Sequence, residues 1–169
     1  MEELIKTPLL PFSNVSNKTG VVATISLTVI GGTAPANDTF SAALELSGQK
    51  GTTTANTGAT TSEPNEPNHG CFGPHGSTWF RWMPTEDGSL RVDTIGSSFD
   101  SLFAVYTGNE LASLTKVGGA NKGGDNGAAS TSVDVKAATQ YFIAADGCGS
   151  NGKLGQQGAL TLSWVFTPA

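Results

Sequence analysis

Residues 158–166 read GALTLSWVF, and they alternate: Leu160, Leu162, Trp164 and Phe166 fall on one side, Thr161 and Ser163 on the other. A period of two belongs to an extended strand with one buried face. An apolar sheet face has to be covered by a second layer, so this segment commits the chain to at least two packed sheets. Facing residues are at hand in Tyr141 and Ile143, Leu90 and Val92, and Phe80 and Trp82. The opposite side of the strand that holds Phe80 carries Trp79, a second large aromatic on what should be an outer face.

Further short strands are expected near 51–58, 77–83, 88–95, 101–107, 131–136, 139–145 and 158–166. The words between them, such as EDGS, GSSFD and GGANKGGDNG, are turn chemistry. TGNELASLT (107–115) reads as one helical turn with Leu111 and Leu114 on a shared face. Composition agrees: 22 of 169 residues are Gly and only 14% are charged, which leaves little material for long helices. The expected class is all-β: an antiparallel β-sandwich, jelly-roll-like, preceded by an extended N-terminal arm.

The arm and its anchoring strand take residues 1–35 and the sandwich 36–169. Pro8 and Pro11 break helix, yet Leu9, Leu10 and Phe12 are apolar. Residues 20–30 alternate, with Val21, Ile25 and Leu27 on one face, and GGTAPAND (31–38) forms the border. Such residues either fold back onto their own domain or dock on a protein partner. The opening MEELIKTPLLPF lacks the basic start of a secretory signal, so a signal peptide is not expected. The run VVATISLTVI is too short and too polar to span a bilayer. A net charge of −5 without a basic stripe gives nucleic-acid phosphates nothing to bind.

One window concentrates the reactive side chains: EPNEPNHGCFGPHGSTWF (63–80) holds both histidines, His69 and His75, and Cys71, one of two cysteines. A zinc site would need a fourth ligand from far away, and the Pro-Gly loop presets no ligand geometry. No GxSxG elbow accompanies the histidines, and no Lys or Arg lies near Cys71 to lower its pKa. Cys71 and Cys148 are candidates for a disulfide, which implies an oxidising setting; two unpaired thiols are the alternative. Calcium is the better metal expectation, with Asp125, Asn126, and Asp146 with Glu66 as oxygen ligands; ordinary solvated loops are the plainer reading. No other cofactor is expected. Trp79 and Tyr106 are candidates for stacking on a sugar, whereas Trp82 and Trp164 belong to the core.

The words NDTFSAALELSGQKGTTTANTGATTSEPNEPNHG, then STWFRWMPTEDGSLRVDTIGSSFDSLFAVYTGNELASLTKV, then QYFIAADG and GALTLSW, resemble in order and spacing the bacterial pre-peptidase C-terminal domain family. The resemblance covers residues 36–166. It implies a compact β-sandwich that is an accessory rather than catalytic module, usually appended to secreted hydrolases and associated with secretion, surface attachment or polymer binding. It also implies a structural role for His69, whose ring nitrogens would hold loop backbone in place.

The sequence therefore points to a non-catalytic structural or interaction protein: an exposed head anchored by its arm to a larger assembly, extracellular or on a virion surface as a phage head-decoration or fibre-associated protein. The alternative is an extracellular polymer- or carbohydrate-binding accessory module of a secreted bacterial protein.

Overall fold

A computed structural model describes residues 32–71, 73–121, 127–148 and 155–169. The described residues are almost entirely strand and loop. In chain order the strands are β1 (Leu44–Glu45), β2 (Lys50–Asn56), β3 (Thr78–Trp82), β4 (Gly88–Asp93), β5 (Ser101–Thr107), β6 (Thr115–Asn121), β7 (Ser130–Val135), β8 (Tyr141–Gly147) and β9 (Ala159–Pro168). They form a five-stranded sheet, β1-β3-β8-β5-β6, and a four-stranded sheet, β2-β9-β4-β7. Every pairing is antiparallel except β1 with β3. The all-β sandwich read from the alternation is the fold observed.

The core between the sheets is built from the residues that the period of two picks out. Leu160, Leu162, Trp164 and Phe166 of β9 meet Phe80, Trp82, Phe103, Val105, Tyr141 and Ile143 from the other sheet, with Leu90 and Val92 beside them. Trp82 and Trp164 are both core residues, and each indole N–H donates to the carbonyl of Gly48. Trp164 also lies over Gly51, its cross-strand partner; a Cβ there would sit 2.4 Å from the ring.

Two strands escape the sequence reading. β1 is only two residues long. β6 contains Gly118 and Gly119, which look like a turn, yet it pairs along β5 with a bulge opposite Val105 and Tyr106. Gly118 is needed because Val133 of β7 occupies the space a Cβ would take, at 2.4 Å. Gly119 has φ near +150°, a conformation few other residues adopt.

The expected helical turn is a 3-10 turn, Leu111–Ser113, and Leu111 and Leu114 do share an inward face. They belong to a second apolar cluster on the outer side of the five-stranded sheet. There Trp79, Ala104, Tyr106, Phe142 and Ala144 are covered by Phe40, Ala43, Leu111 and Leu114. The sheet is therefore buried on both faces, which is why β5, SLFAVYT, reads as a continuous apolar run instead of alternating. The covering layer is irregular chain, and its fastening is the site described next. The proposed anchoring residues Leu9, Leu10, Phe12, Val21, Ile25 and Leu27 lie outside the described residues, as do Asp125 and Asn126.

Candidate functional site

The window 63–80 folds over the outer cluster and ends in β3. Its turn is shaped by EPNEPN: Asn65 takes a positive φ of 65°, where Asn is better tolerated than most residues, and the Glu66 N–H returns to the carbonyl of Glu63. This places Glu66 and His69 three residues apart on the inward side of the loop, with both side chains wholly out of solvent.

The polar groups there satisfy one another. Nε2 of His69 donates to Oε1 of Glu66 at 2.9 Å, and Nδ1 lies 2.8 Å from the Tyr106 hydroxyl. A carboxylate can only accept, so Nε2 carries the proton and the tyrosine O–H donates to Nδ1 in the neutral ring. The Ser77 hydroxyl also donates to Oε1 of Glu66, and the Glu63 N–H to Oε2 at 2.7 Å. The Glu63 carboxylate in turn accepts the N–H of Phe40 at 2.6 Å, and Lys116 Nζ donates to the His69 carbonyl at 2.8 Å. Segment 37–43, loop 57–77, β5 and β6 are thus joined through one buried cluster.

Burial alone would push the Glu66 carboxyl up. The hydrogen bonds from His69, Ser77 and the Glu63 backbone outweigh it and hold the group below the ordinary carboxylate range. Burial, with the Glu66 charge second, pushes the Tyr106 phenol well up, so it stays a neutral donor.

The far end of the loop is fixed covalently. Cys71 and Cys148 form a disulfide with a Cα–Cα separation of 5.2 Å, packed with Leu102. His75 Nε2 donates to the Cys71 carbonyl at 3.0 Å, and Asp146 accepts the N–H of His75 at 2.9 Å and of Gly147 at 2.6 Å. Burial, the dominant influence, leaves the Asp146 carboxyl above its ordinary range despite these two bonds.

The Cys71 thiol is consumed in the disulfide and both nitrogens of His69 are occupied by protein groups, the structural use that the sequence reading favoured over zinc for this window. Some details of the sequence reading need correcting. Glu66 and Asp146 are each engaged by their own set of protein donors. No group of three or more potential metal ligands occurs among the described residues. Trp79 is 0% exposed and Tyr106 1%, so neither offers a face to a sugar. His69 grips side chains rather than loop backbone; the histidine that holds backbone is His75. An open groove of about 570 Å³, lined in part by Glu45, Gln49, Arg81, Met83 and Gln140, contains none of the sequence candidates.

Ser77 and Lys116 were not singled out from sequence. The spacing of Glu66 and His69 was the available signal; these two partners lie 11 and 47 residues away along the chain.

No protein-family model matches the chain, and no curated protein does. Solved structures with a similar fold include PliG of Aeromonas hydrophila, a periplasmic inhibitor of g-type lysozyme, at 13% identity over 74% of this chain and 96% of that one, with a TM-score of 0.46. The pre-peptidase C-terminal domain of a collagenase from Bacillus anthracis is similar at 8% identity over 74% of this chain and 94% of its own, with a TM-score of 0.44.

Proposed function

We propose that the sandwich is the rigid head of a non-catalytic structural or interaction protein working outside a reducing cytoplasm, joined to a larger assembly through residues 1–35. The observation that carries this reading is the state of the reactive side chains. His69 and Glu66 are sealed from solvent and hydrogen-bonded to each other, and Cys71 is closed in a disulfide. They fasten a loop to a sheet, a structural use of the three side chains. The disulfide supports an oxidising setting, extracellular or periplasmic, or a particle surface reached after release from the cell. The word order shared with the pre-peptidase C-terminal family over 36–166 supports an accessory rather than catalytic role. The phage decoration reading rests on the apolar arm, and strand addition or groove docking is the mode that its alternation suits.

The test compares the full chain with residues 31–169 for co-sedimentation with particles and envelope fractions of the source. The truncated head is expected to keep its β-type circular dichroism and its disulfide while losing association. Association that survives truncation would defeat the anchoring reading.

A further inference from the structure

Among the described residues, strand β2 has an open edge: it pairs only with β9, from Lys50 opposite Val165 to Asn56 opposite Ala159. Two backbone bonds fix the phase: the Phe166 N–H donates to the Gln49 carbonyl and the Thr57 N–H to the Gly158 carbonyl. Mutually bonded pairs recur at every second residue of an antiparallel ladder. Residues 49, 51, 53, 55 and 57 therefore bond to β9, and the N–H and C=O groups of Lys50, Thr52, Thr54 and Asn56 point away from the sheet. Among the described residues, no group bonds to them.

Both edges of the five-stranded sheet carry protection. β1 is two residues long, and the Trp79 N–H beside it is taken by the Asn37 carbonyl. β6 is bulged against β5 and sits tightly on β7 through Gly118 and Val133. β2 is seven residues of KGTTTAN, with no bulge, no proline and a single charge at one end. Exposed strands of that kind are templates for pairing with another chain.

The strand also matches itself. Turned antiparallel about Thr53, the open residues meet open residues: Lys50 meets Asn56 of the partner subunit, and Thr52 meets Thr54 of the partner subunit. A slip by one residue would set open groups against groups already bonded within the sheet. The charge fits too, since Lys50, the sole ionisable side chain of the strand, faces a neutral amide instead of its own copy. Thr52 and Thr54 lie on the exposed face, where β-branched side chains pair well across strands.

We propose that β2 is the docking edge for a second copy of this chain, the two strands pairing antiparallel about a two-fold axis through Thr53 and joining two four-stranded sheets into one. This is an isologous contact and closes at the dimer. The full chain is expected to show a concentration-dependent monomer–dimer equilibrium in sedimentation velocity. Thr52→Glu with Thr54→Glu sets like charges directly opposite and should weaken the dimer by about tenfold or more. Thr52→Lys with Thr54→Glu makes opposite charges face each other and should restore it. All three proteins should keep the same circular dichroism spectrum, because both positions lie on the exposed face. A chain that stays monomeric throughout the concentration series overturns the proposal. So does a dimer that is indifferent to the double glutamate, including one lost only when residues 1–31 are removed.

Discussion

Oε1 of Glu66 accepts a hydrogen bond from Nε2 of His69 at 2.9 Å, with neither side chain exposed to solvent. The pair fastens an irregular roof to the outer face of the five-stranded sheet and gives that roof a pH dependence. A carboxyl held below its ordinary value in the folded chain contributes stability that is complete above that ordinary value, 4.5, and is lost as the pH falls below it. Asp146, whose carboxyl is raised, acts in the opposite sense and gains stability on protonation. Thermal unfolding at several pH values is expected to show a midpoint that declines below about pH 4.5. Glu66→Gln should cost about 2 kcal/mol at pH 7, since an amide N–H₂ would face a backbone or histidine donor, and should flatten the acid limb. A variant whose acid limb matches that of the parent would remove Glu66 from the account.

Reduction of Cys71–Cys148 should lower stability by about 2–4 kcal/mol, because the bridge closes a span of 77 residues and ties the roof to the end of β8. Urea unfolding with and without reductant, and of the Cys71→Ser/Cys148→Ser double variant, measures it. Identical midpoints would show that the bridge is dispensable.

Tyr106→Phe removes the donor to Nδ1 of His69 in a fully buried setting, at an expected cost of about 1–2 kcal/mol. Trp79→Ala empties the centre of the outer cluster and should cost about 3–5 kcal/mol. Denaturation curves decide this, and an unchanged midpoint for Trp79→Ala would mean that the indole is not part of a packed core.

Gly51→Val introduces atoms where the Trp164 ring already lies, with even the Cβ at 2.4 Å. The expected result is a loss of about 1–3 kcal/mol together with a red shift of tryptophan emission as the ring is displaced. Emission and stability equal to the parent's would contradict the packing of β2 against β9.

The strand pattern was legible in the sequence wherever one face is buried and the other wet. β9 alternates, and its inward-facing Leu160, Leu162, Trp164 and Phe166 are all in the core, while Val165 lies on the exposed face. Legibility fails where that asymmetry fails. β5 is covered on both sides and shows no period; β6 has glycines where a neighbouring valine denies room for a side chain. The local half of the buried cluster, Glu66 and His69, could be seen as a spacing, but its meaning could not. A histidine, a cysteine and a second histidine within seven residues fit a metal loop and a capped roof equally well on paper.

The amino-acid order by itself determined the class: alternating apolar residues and turn words leave two packed layers of strand as the way to bury one face of each segment. Only the tertiary structure decided what Trp79, Tyr106, His69 and the cysteines are for. Their partners lie tens of residues away, and local spacing carries no information about which distant group will fill a hydrogen-bonding position once the sheets have formed.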